Sequence, residues 1–166
     1  FTAWTDDLAK EQYGADSGKT AANSLPQTAN FYYLTQDVTL DATWEPAKDT
    51  MLCLNGHSIT GRNRAAVITV GDGKHFTLCD CNDDQKTYHF RKERGTPWIL
   101  DETGSYEVSG GIVAHAKNQY GSGVLVDGTG IFDMYGGTLV GNTGTGAGSG
   151  SSNGSNGGGV YVKGAG

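Results

Sequence analysis

Hydrophobic positions along this chain fall in short runs that alternate with polar ones, and almost nowhere do they recur at helical spacing. FYYLTQDVTL (31–40), TMLCLNG (50–56) and AVITV (66–70) are rich in β-branched and aromatic residues and are separated by turn formers, the pattern of short strands. The start of the chain differs. Residues 1–12 predict a short amphipathic helix, with Thr5 as N-cap, Asp6 and Asp7 in the first turn, Phe1, Trp4 and Leu8 on one face, and an end near Gly14. Residues 15–30 are small and polar and read as a connecting loop.

Sliding the chain on itself exposes a weak repeat. GKHFTLCDC, GSYEVSGGIV and GIFDMYGGTLV superpose so that Phe76, Tyr106 and Phe132 share one column and Leu78, Val108 and Met134 the next. AVITVGDG aligns with GVLVDGTG at an offset of 56 residues, the same offset that separates Phe76 from Phe132, and GVYVKGAG repeats GVLVDGTG 36 residues further on. A unit of about 20 to 30 residues holding two or three short strands cannot bury its apolar face alone and must stack on its neighbours. The expectation is an all-β solenoid of parallel strands, with the 1–12 helix covering its first edge.

Composition sharpens this. Glycine occurs 27 times, and most of it lies beyond residue 103, interleaved with Val, Ile, Leu, Tyr and Phe. Collagen is excluded, because there is no Gly-X-Y period. A net charge of -6 argues against nucleic acid or an anionic membrane as partner, although KTYHFRKER (86–94) forms a local basic patch. No run reaches the roughly 18 apolar residues of a membrane span, and no signal-peptide pattern is present. Three cysteines are too few for a disulfide scaffold, and their odd number leaves at least one thiol without a partner in the chain.

LCLNGHSITG (52–61) resembles the LxLNGxxIxG stretch of the first coils of right-handed parallel β-helix proteins of the pectate-lyase-like kind, and FYYLTQDVTL resembles their leading strand. Together with GGTLVGNTG and GGGVYV, the pattern is similar to large cell-wall-attached adhesin-like proteins of Gram-positive gut bacteria, over residues 30–166. The resemblance implies a cap and connecting loop at 1–29, then parallel β-helix coils over 30–166, interrupted by a loop at 82–102 and a Gly/Ser-rich loop at 141–159 and cut short at the C-terminal end. Within the motif it implies that Leu52, Leu54 and Ile59 point inward and that Asn55 bonds stacked backbone at a turn.

Enzymes on this fold use clustered carboxylates on one face. The nearest match, Asp80, Asp83 and Asp84, lies at a turn, and no acid recurs in its column in the next repeat, so a hydrated loop is expected. Cys79 and Cys81 with His57, His75, His89 and His115 lack the second spaced pair of a structural zinc site; neither a metal nor a cofactor is expected. Cys53 and Cys79, 26 residues apart, are expected to be stacked neighbours, free or disulfide-bonded. The Gly/Ser run at 141–159 lacks a phosphate-cradling motif.

The segment 82–102 breaks the repeat with charge, aromatics and a proline. Tyr88, Phe90, Arg91, Arg94 and Trp98 supply the residue types that dominate interfaces and are the expected contact residues; the alternative is that the segment packs on a coil flank with Trp98, Ile99 and Leu100 as a strand. Arg62, Arg64, His115 and Tyr120 form a second candidate surface. The functional expectation is a monomeric, non-catalytic module on a bacterial surface that engages a host protein or glycan, with immunoglobulin, in superantigen-like fashion, suggested only by analogy with the family. The rivals are a fragment of a polysaccharide lyase or glycoside hydrolase with its catalytic coils at or beyond the C-terminal end, and a purely structural stalk.

Overall fold

A strand buried on one face and paired in parallel needs partners from elsewhere in the chain, and that need organises the whole molecule. A computed structural model describes residues 1–82, 86–115, 121–144 and 158–164. It is mostly β, with one α-helix. In chain order the elements are β1 (Thr2–Trp4), α1 (Asp6–Tyr13), β2 (Phe31–Leu34), β3 (Val38–Leu40), β4 (Thr50–Cys53), β5 (Ser58–Gly61), β6 (Ile68–Val70) and β7 (His75–Cys79). There follow β8 (Thr87–Lys92), β9 (Trp98–Leu100), β10 (Tyr106–Ser109), β11 (Ile112–His115), β12 (Val124–Asp127), β13 (Ile131–Met134), β14 (Thr138–Leu139) and β15 (Val160–Lys163).

Three parallel sheets take most of these strands: β1-β2-β4-β7-β13, β14-β11-β5-β3 and β15-β12-β6. From β2 onward the chain visits them in rotation, with Trp44, bridged in parallel to Ile68, standing in the third sheet on the first pass. Registers place like beside like. Tyr32, Leu52, Leu78 and Met134 form one column, Val38, Ile59, Val113 and Leu139 a second, and Ile68, Val124 and Val160 a third. Residues of all three columns meet in one apolar cluster, inside which Phe76 stacks on Phe132 at 5.7 Å and meets Trp44 edge-on at 5.3 Å.

The offsets of 56 and 36 read from the sequence are the observed registers of β7 with β13, β6 with β12 and β12 with β15. Leu52, Leu54 and Ile59 are fully buried. Asn55 sits at a positive φ of 51° and donates to the Leu34 carbonyl at 3.0 Å, an αL turn that Asn tolerates better than most residues. Gly111 is required by close approach: a Cβ there would stand 2.4 Å from the Leu54 Cβ.

Two sequence expectations are corrected. The helix does not begin at residue 1: Thr2–Trp4 form a strand parallel to β2, because Trp4 fills the core and donates its indole N–H to the Ser24 carbonyl. Thr5 is nonetheless the N-cap, accepting from the Leu8 N–H, and α1 ends at Gly14. Residues 15–30 are more than a polar connection, since Ala21, Ser24 and Leu25 are buried beneath α1 and the first strands.

Phe76 has no exposed surface and is held by two rings, so Phe76→Ala should cost about 3–5 kcal/mol of unfolding free energy. Phe31→Ala, at an exposed position in β2, should change it by less than about 0.5 kcal/mol. Urea unfolding followed by tryptophan fluorescence measures both.

Candidate functional site

After β7 the chain leaves the parallel sheets. Alternation in TYHFRK turns Tyr88 and Phe90 to one face and His89 and Arg91 to the other, and β8 becomes the centre of an antiparallel sheet ordered β10-β8-β9. Phe90 stands opposite both Tyr106 and Leu100, Val108 opposite Tyr88, and Lys92 opposite Trp98. The apolar face of this sheet packs with Ile112 and Ala114 of β11 in a second core, joined by Val140. Strand β11 is therefore buried on both faces, since its Val113 belongs to the first core.

Residues 86–102 thus contribute two paired strands, β8 and β9, rather than a projecting loop alone, and the five candidate contact residues separate. Tyr88 and Phe90 are only 6% and 1% exposed, which corrects the expectation that they face a partner: β-sheet alternation makes them the anchors of the insert. Arg91 pairs with Asp101, at 3.1 Å, and with Glu93. Hydrogen bonds from Thr103, with help from Arg91, hold the Asp101 carboxyl below its ordinary value. Arg94 is exposed in the turn between β8 and β9, and Trp98 is half-buried.

Asp37 fixes the insert to the parallel sheets. It accepts from Lys86 Nζ at 2.5 Å and from the Ser58 N–H at 2.8 Å. The Tyr88 hydroxyl lies 2.9 Å from both Asp37 Oδ1 and the Gly56 carbonyl oxygen, and His57 Nδ1 is 3.6 Å from the same carboxylate. Burial opposes ionisation of Asp37, but these hydrogen bonds and the Lys86 charge outweigh it and hold its pKa down to about 2. Burial, and then Asp37 itself, push the Tyr88 hydroxyl upward.

One accessible feature of the insert is an aromatic recess. Trp98 and Tyr106 meet edge-to-face at 4.9 Å, interplanar angle 89°, with Lys92 Nζ 5.7 Å from the Trp98 ring. They border a cavity of about 370 Å³ that Phe90, Glu107, Val108 and Gly141 help to line. Gly141 has a φ of 68°, and a Cβ there would come within 2.8 Å of the Phe90 ring. Tyr106, at 55% exposure, is the residue that sequence reasoning misplaces: it belongs to β10 and not to the column of Phe76 and Phe132. The available signal is the uneven division of the 56-residue offset, since the rows that share it pair directly and skip Tyr106.

Most of the other candidates that fall among the described residues have structural partners. Both oxygens of Asp80 accept backbone N–H groups, from Gly56 at 2.8 Å and Gly111 at 2.6 Å; Asp83 and Asp84 lie outside the described residues. Arg62 pairs with Asp41 and Arg64 is exposed. His115, expected on an outer surface, is fully buried between the Asn142 side chain and the Ala65 carbonyl; Tyr120 and positions 145–157 of the Gly/Ser-rich loop lie outside the described residues. His75 Nε2 is 2.7 Å from Asp133, and His89 lies 3.7 Å from Glu107. Cys53 and Cys79 are neighbours in register as expected, while the disulfide joins Cys53 to Cys81 and leaves Cys79 a free thiol.

No protein-family model, no curated protein and no solved structure matches this chain.

Because the folded-state pKa of Asp37 lies below its ordinary 3.8, its ionisation stabilises the fold above about pH 4, and that contribution is lost as pH falls from about 4 toward 2. Asp37→Asn should lower the melting temperature at pH 5 and 7. The gap to the parent should narrow as pH falls through 4 to 2 and close near pH 1, below the folded-state pKa, as measured by circular dichroism.

Proposed function

We propose that this chain is a non-catalytic, extracellular binding module of a bacterial surface protein, and that its ligand is a carbohydrate held in the Trp98–Tyr106 recess. In this reading the three parallel sheets are the walls of a right-handed β-helix of the pectate-lyase-like kind. Their rotation in chain order and the columns that continue from strand to strand support that architecture. The packing of β1 and α1 at one end supports a cap.

The observation that carries the functional reading is the perpendicular pair of exposed Tyr106 and half-buried Trp98 on an insert that is itself firmly anchored. The apolar faces of sugar rings stack on such side chains, while Lys92, beside the Trp98 ring, offers a donor to hydroxyl groups. A recess near 370 Å³ falls at the lower end of the roughly 300–1,000 Å³ usual for small-molecule sites. Of the acids considered for catalysis, Asp80 spends both oxygens on backbone N–H groups, an arrangement that favours a structural role for it over proton transfer, while Asp83 and Asp84 lie outside the described residues.

Tyr106→Ala removes a half-exposed ring without opening the core and should weaken binding at least tenfold. The test screens the folded protein on an array of host O- and N-glycans, then titrates the best hits by calorimetry. Equal affinity of parent and Tyr106→Ala would remove the recess from the reading. Silence on glycans with capture of serum immunoglobulin would replace it by recognition of a host protein.

A further inference from the structure

Cys53, Cys79 and Cys81 place their sulfur atoms within 4.8 Å of one another. Parallel register sets Cys53 of β4 beside Cys79 at the end of β7, and the chain brings Cys81 back to the same place two residues later. A cross-link needs two of these sulfurs, and the disulfide joins Cys53 to Cys81 across a Cα separation of 6.3 Å. The third does nothing comparable for the fold, since the Cys79 thiol makes one long contact, 3.7 Å, to the Leu52 carbonyl.

We propose that, when the Cys53–Cys81 disulfide is reduced, the three sulfurs form a site for one thiophilic d10 cation, best matched by Cu(I). Three thiolates about 2.3 Å from a central ion, at about 120° to one another, stand about 4.0 Å apart; Cys79 already lies within 4.8 Å of the other two sulfurs, and those of Cys53 and Cys81, bonded in the disulfide, must part to that distance on reduction. Zinc in structural sites takes four protein ligands. No histidine or acid joins this group among the described residues: His57 and His75 face Asp37 and Asp133, His89 faces Glu107, and His115 is held by Asn142 and Ala65. Soft Cu(I) is satisfied by three thiolates alone.

The surroundings suit such a site. Asp80, between Cys79 and Cys81, is clamped by the Gly56 and Gly111 N–H groups, and the Leu54 N–H donates to the Cys79 carbonyl at 2.8 Å. The turn that carries both ligands is thereby fixed from behind. Cys53 is buried, Cys79 partly so and Cys81 exposed, which leaves a path for the ion from solvent.

Reduction by a phosphine breaks the S–S bond. The phosphine takes oxygen from water and leaves as its oxide, and the two sulfurs keep the protons. Cu(I) then forms three Cu–S bonds and displaces the thiol protons to solvent.

The full chain, reduced anaerobically and freed of phosphine, is titrated with Cu(I) supplied as its acetonitrile complex against a chromophoric Cu(I) chelator. The expected result is one equivalent bound, with ultraviolet thiolate-to-copper charge transfer, and none bound by the oxidised protein. Cys79→Ser retains the pair that forms the disulfide and should lose at least 100-fold in affinity once reduced. Absence of binding, affinity for Cys79→Ser within threefold of the parent, or unchanged affinity in 6 M guanidinium would each overturn the proposal, the last by showing that free thiols suffice without the fold.

Discussion

A parallel strand cannot find its partner in the next few residues, and everything else in this molecule follows from that constraint. Hydrogen-bond partners lie 20 to 56 residues apart across the three parallel sheets, so no strand is satisfied until a strand from far along the chain joins it. The columns of Leu52, Ile59 and Ile68 with their neighbours are the apolar counterpart of the same constraint. Turns must then deliver each strand at the right height, which accounts for a left-handed Asn55 bonded to Leu34 and for a glycine, Gly111, where Leu54 leaves no room for a Cβ. Where stacking stops the cost is visible: Met134, Val160 and Val162 in the outermost strands are exposed, although their column neighbours Leu78, Val124 and Val126 are buried.

Stacking also decides where an insertion can sit. A parallel sheet whose outer face is apolar must be covered, and β11 presents Ile112 and Ala114 outward as well as Val113 inward. The antiparallel sheet of β8, β9 and β10 covers it, with Tyr88 and Phe90 as the inner side chains. Asp37 completes the union by collecting Lys86, Ser58 and Tyr88 at one carboxylate. Since that union uses the inner face, it is at the margin, where Trp98 and Tyr106 meet, that the insert leaves aromatic surface accessible.

Much of the parallel architecture is legible in the sequence because stacked positions must resemble each other. The offsets of 56 and 36 are registers in the structure, and the LCLNGHSITG stretch places Leu52, Leu54 and Ile59 inward as its resemblance implies. The site is far less legible. Aromatic residues in an off-pattern segment read equally as anchors or as contacts, because an alternating strand needs both, and only the packing on β11 shows that Tyr88 and Phe90 are spent inward. Tyr106 is hidden by the opposite error, since Gly-x-aromatic-x-apolar fits an inward column as well as an antiparallel edge. Trp4 reads as helical because of its spacing with Leu8, whereas the unpaired edge of β2 recruits it into a strand.

The cysteines show why proximity in such a fold escapes one-dimensional motif reading. A spaced C-x-C offers two ligands, and metal motifs are recognised by a second pair nearby in sequence. Here the third sulfur lies 26 residues before Cys79 and is delivered by register alone, the same physics that aligns the leucines one position away. Residues in adjacent strands can therefore build a chemical cluster with no local signature. Among the described residues, the groups that stacking and packing use up, such as Asp80, His115 and Tyr88, are accounted for by structural partners. Side chains gathered by the same forces but left with little to do structurally, the Cys79 thiol and the outer edges of Trp98 and Tyr106, are where chemistry remains to be explained.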